Sequence, residues 1–127
     1  MNLEYYRKNE MRILELSKWG ETSIVDIPFV NHDSGKRRKL LEEMAKAING
    51  KVELIKEGKF SYKYAGTYAK YVIASNDELE LPLALVEFHF NAPHSEDRTL
   101  VIFFNQYQPE KQSKVLSAIA RYILGQL

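Results

Sequence analysis

The sequence predicts a single α+β domain, residues 1–127, built on a mainly antiparallel sheet of about five strands. Two observations carry this expectation. Residues 34–49 and 109–124 repeat apolar side chains at helical spacing, and between and before them lie runs that alternate or are continuously apolar, as strands do. Long strand runs flanked by amphipathic helices imply a sheet with helices packed on one face, its consecutive strands paired as a meander.

The elements follow in order. Leu3, Tyr6, Ile13, Leu14 and Ser17 fit an N-terminal helix, although MRILELSKW can also be read as a strand turning at Trp19-Gly20. In SIVDIPF, Val25, Ile27 and Phe29 alternate as a half-buried strand requires, and Pro28 places that strand at an edge or at its own end. After this first strand, Leu40, Leu41, Met44, Ala45 and Ile48 form one helical stripe, which Asn49-Gly50 stops. VELIKEGKFSYKY and TYAKYVIAS read as two strands broken near Ala65-Gly66, with a bend expected at Gly58. LPLALVEFHF and TLVIFF are further strands, the latter apolar throughout and therefore central in the sheet. Pro109 opens a C-terminal helix whose stripe is Val115, Leu116, Ile119, Ile123 and Leu124.

Composition narrows the function classes. At 45% apolar and 28% charged, with no apolar run near the ~20 residues of a membrane span, the chain reads as a soluble protein with no membrane partner. MNLEYYRKNE lacks the apolar core of a secretory signal and no Asn-x-Ser/Thr occurs, so a cytoplasmic location is expected. Without cysteine there is no disulfide, thiolate nucleophile or zinc–thiolate site. Lys and Glu supply 25 residues, a composition of the kind found in proteins of thermophiles. The net charge of +1 hides a segregation along the chain. Residues 34–74 carry ten Lys/Arg against four Glu, while residues 76–110 carry one Arg against seven acids.

Four consecutive cations, Lys36, Arg37, Arg38 and Lys39, occupy a predicted helix start, where the backbone already presents partial positive charge and Asp or Glu is favoured. Ser34 or Asp33 is a fitting N-cap and Gly35 lets a ligand approach the backbone, so the stretch fits a phosphate. Strand, loop, Gly-Lys and helix follow in P-loop order, but Val30 stands at the first glycine and Arg37 at the Ser/Thr, which argues against nucleotide hydrolysis. The plain alternative is four solvated side chains whose stems cover the core edge.

KFSYKYAGTYAKY, residues 59–71, sets Phe60, Tyr62 and Tyr64 on one strand face and Lys63 on the other, with Tyr68, Lys70 and Tyr71 beyond the glycine. Rings interleaved with Lys suit the bases and backbone of a nucleic acid, although tyrosines of this kind also complete cores with their hydroxyls at the rim. In LPLALVEFHFN, Glu87 and His89 share a face with Leu83, Leu85 and Asn91, opposite Ala84, Val86, Phe88 and Phe90. With His94, and Asp26 or Asp77, the pair offers metal-ligand chemistry, but a nuclease Glu-x-Lys pair would need Lys at position 89. His32-Asp33-Ser34 cannot be a relay triad, since triad residues meet through the fold, and Glu42 and Glu43, consecutive on a helix, do not face one site.

The leading expectation is therefore a protein that binds nucleic acid or another phosphate-bearing polyanion through Ser34, Gly35, Lys36, Arg37, Arg38 and Lys39, joined by Tyr62, Lys63, Tyr64 and Lys70. No catalytic motif is supported and no cofactor is expected. The alternatives are a helix-grip-like module enclosing a small apolar ligand and a metal-dependent nuclease or hydrolase using Glu87 and His89. A homodimer or interaction module joined through an apolar edge strand would have the same sequence.

Overall fold

The computed structural model describes residues 22–27, 34–59, 66–76, 82–92, 96–104 and 108–126. The expected N-terminal helix over 3–19 lies outside them. Among the described residues the elements are β1 (Thr22–Ile27), α1 (Ser34–Ala47), β2 (Gly50–Lys59), β3 (Thr67–Ser75), β4 (Ala84–Phe90), β5 (Arg98–Phe104) and α2 (Pro109–Gln126). All strand pairs are antiparallel, and the fold is the α+β class expected.

Strand order is β1-β5-β4-β3-β2. Strands β2 to β5 form the expected meander, whereas β1 pairs with β5, Val25 lying opposite Val101 and Ile27 opposite Thr99. Thus β1 and β2, neighbours in sequence, occupy opposite edges. Helix α1 lies between them: its 14 residues span about 21 Å, comparable to the ~19 Å of four strand spacings. The edge role read from Pro28 holds for β1, and the apolar β5 is an interior strand beside the central β4.

Period-2 alternation divides the sheet. Val25, Ile27, Val52, Ile73, Val86, Phe88, Val101 and Phe103 meet Leu40, Leu41 and Met44 of α1 and Val115, Ile119 and Tyr122 of α2 in one core. On the other face, Val72, Ala74 and Phe104 are also at most 2% exposed, which accounts for the continuous apolar character of β3 and β5 near their C-terminal ends. Along α2 the buried stripe is Val115, Ala118, Ile119 and Tyr122; Leu116 and Leu124, expected within it, are 41% and 68% exposed. An i, i+3, i+4, i+7 set begun at Val115 leaves both leucines on the flank.

Local chemistry sets the element ends. Asn49 adopts φ 49° after α1, the left-handed conformation that asparagine tolerates, and its amide donates to the Lys46 carbonyl at 3.1 Å. Gly50 follows because a Cβ there would collide with the carbonyl oxygen of Ala74. The expected bend at Gly58 is absent: the ladder irregularity lies between Leu54 and Lys56, and Gly58 pairs regularly with Tyr68. That glycine instead accommodates a ring, since an added Cβ would stand 2.8 Å from the Tyr68 hydroxyl.

Candidate anion-binding site

Helix α1 begins SGKRRK and carries no acid in its first turn, so the cations are added to the positive end of the helix rather than neutralising it. Packing separates the four. Lys36, Arg38 and Lys39 are exposed, whereas Arg37 is half-buried, its guanidinium carbon 4.0 Å from the centroid of the Phe90 ring. This stacking suits a planar, weakly hydrated guanidinium. The Lys36 carbonyl accepts a hydrogen bond from the Tyr122 hydroxyl at 3.0 Å, tying the start of α1 to the last turns of α2.

Ser34, Arg37 and Arg38 line a cleft of about 370 Å³ between α1 and strands β2 and β3, with Leu41, Val52 and Tyr71 on its apolar side. Tyr71 is held edge-on against Phe88, ring centroids 5.8 Å apart. Glu42 lines the cleft as well, so an anion here would meet the Ser34 hydroxyl, two guanidinium groups and a phenol, opposed by one carboxylate. Tyr71 has a legible signal, because alternation from Lys70 puts it on the helix side, but only the fold brings it to Arg38.

Of the expected Lys/Tyr stretch, Tyr71 lines this cleft and Lys70 does not. Lys70 faces away from the helices, its Nζ 3.5 Å from Glu87 Oε1 and 5.8 Å from the Tyr68 ring centroid. Strand pleating separates it from α1 by the thickness of the sheet. Tyr62, Lys63 and Tyr64 lie outside the described residues.

Glu87 and His89 do share a face, as the alternation predicts, with Nε2 of His89 3.5 Å from Oε2 of Glu87. Glu87 thus lies between Lys70 and His89, and Asp26 is engaged by Arg98, whose Nε donates to Oδ2 at 3.0 Å. Among the described residues no group of three His, Asp or Glu side chains is placed to hold a metal ion, and His94 and Asp77 lie outside them.

Charge in the helical layer comes from both helices. Residues 34–47 and 109–126 together carry eight Lys/Arg and three Glu, with Lys46, Lys114 and Arg121 exposed alongside Lys36, Arg38 and Lys39. The α2 cations were missed in the sequence because they lie more than 70 residues from the basic run around Lys36–Lys39. Their signal is the polar face of an amphipathic helix that happens to be basic. No helix among the described residues is long and apolar enough to cross a membrane. Comparison of the chain with protein-family models, with curated proteins and with solved structures found no significant match.

Proposed function

We propose that the protein binds a phosphate-bearing polyanion, nucleic acid being the class that best suits it, through the helical layer and the cleft at the start of α1. The observation that carries this reading is the convergence of Ser34, Arg37 and Arg38 on one cleft, two cations against the single acid Glu42, at a helix N-terminus that lacks any acid in its first turn. Further support comes from the excess of cations over acids across both helices, the electrostatic footprint of a backbone binder. A small-ligand module has less support: among the described residues, Leu40, Met44, Phe88, Phe103 and Val115, each at most 2% exposed, pack in one core between helices and sheet.

The test is fluorescence anisotropy of a labelled oligothymidylate of about 12 nucleotides, and of a matching duplex, between roughly 50 and 200 mM salt. With three to five phosphates neutralised, log K falls against log salt with a slope of about −2 to −3.5 for the single strand. Arg38→Ala weakens binding and makes that slope shallower by about 0.7, one phosphate contact. Absence of binding at low salt, or affinity indifferent to salt, removes the proposal.

A further inference from the structure

The proposed function, taken as premise, extends to the second helix. Helices α1 and α2 run antiparallel, with three sets of neighbours establishing the register. Tyr122 bonds to Lys36; Lys39 and Glu43 share a cleft of about 330 Å³ with Ala118, Arg121 and Gly125; and Ala47 shares another of about 330 Å³ with Ser113, Lys114 and Arg121. The two clefts have Arg121 in common, so they form one groove along the outer surface of the helix pair. From the Lys36 level to the Ala47 level this groove is about 16 Å long, at 1.5 Å per residue. Lys39 stands on one wall, Arg121 and Lys114 on the other, and Glu43 is the acid that lines it.

We infer that this interhelical groove is a track for one sugar–phosphate strand, with Arg121 and Lys114 as phosphate contacts, on the flank of α1 opposite the cleft of Ser34, Arg37 and Arg38. Its chemistry is that of backbone recognition. Tyr122, the aromatic residue lining the groove, is buried with its hydroxyl committed to Lys36, so it offers no exposed ring on which a base can stack. Arg and Lys contacts to phosphate position a strand without reading its bases. A length of 16 Å corresponds to about five phosphates at the axial spacing of a helical strand, 3.4 Å. Single strands and duplexes both present such a strand, and both probes distinguish which source is used.

The experiment compares wild type with Lys114→Ala/Arg121→Ala and with Glu43→Gln, using oligothymidylates of increasing length, mixed-sequence strands and duplexes. Both changes in the double variant are at exposed positions, and circular dichroism checks that its fold is kept. The double variant loses two contacts, so its salt slope is shallower by about 1.4 for a single strand or about 1.8 for a duplex. Glu43→Gln tightens binding by up to about fivefold, the Coulomb worth of one charge near 4 Å in water, a gain that damage to the fold does not produce. Wild-type affinity rises with oligonucleotide length to about five nucleotides and then levels, with base composition of little effect. If Arg38→Ala weakens binding while the double variant and Glu43→Gln both match wild type, the groove is not part of the surface and the inference fails, although the proposed function stands. If wild type itself binds none of the probes, both fall.

Discussion

The two helices of this protein bury equivalent stripes in one core, yet they begin in opposite ways. Helix α2 opens with Pro109 and Glu110, a residue with no N–H to leave unpaired followed by an acid at the positive end of the dipole. Gln112 reinforces that start, its amide donating to the Gln108 carbonyl at 3.1 Å and its side chain to the Phe104 carbonyl at 2.7 Å. Helix α1 opens with Ser34, Gly35 and four cations, and uses one of them, Arg37, as a packing group against Phe90. Stability alone explains the first start. The second forgoes the favourable charge arrangement at the same kind of position, and electrostatic attraction for an anion is what that arrangement supplies.

The largest effects concern what the helices share. Leu40→Ala in α1 and Ile119→Ala in α2 each remove a buried side chain and cost about 2–5 kcal/mol in chemical denaturation. A cost well below that range for either would break the equivalence of their buried sides.

Smaller effects separate the cations of α1 from one another. Arg37→Ala loses a cation–π contact and its packing, about 0.5–2 kcal/mol, whereas Arg38→Ala, at an exposed position, changes stability by no more than about 0.5 kcal/mol. Arg38 is therefore the cleaner probe of binding. Equal thermal destabilisation by the two would mean that Arg38 is also held by the fold.

The finest test compares the two starts directly. Lys36→Glu raises stability by about 0.3–1 kcal/mol at low salt and Glu110→Lys lowers it by a similar amount, because each exchanges the sign of a charge in a first turn. Both differences shrink in high salt as screening sets in. Thermal melts at two ionic strengths measure this; a Lys36→Glu variant less stable than wild type would show that the cation is required by the fold and that the contrast between the helices is not electrostatic.

Much of this architecture is legible because periodicity reports one element at a time. The alternation in ALVEFHF places Glu87 and His89 together and Phe88 opposite them, and the stripe from Leu40 to Ile48 faces the core. Where two periodic solutions compete, tertiary packing decides. Leu116 and Leu124 fit an apolar stripe as well as Ala118 and Tyr122 do by spacing, but the neighbouring α1 selects the side bearing the small alanine and the tyrosine that reaches Lys36. The pairing of β1 with β5 is likewise invisible locally, since a strand's free backbone groups do not specify which edge completes them.

The candidate site divides in the same way. By itself, the sequence determined the α+β class, the buried stripe of α1, the alternating faces of β1 and β4 and the unneutralised basic start of α1, all of which follow from side chains a few residues apart. Only the tertiary structure decided that Arg37 is absorbed by Phe90, that Lys70 lies across the sheet paired with Glu87, and that Arg121 and Lys114 stand beside Lys39 and Ala47. The physical reason is range. Helix and strand periods act over one or two turns or residues, whereas a charged surface is assembled by packing elements whose sequence separation carries no information about their distance in space.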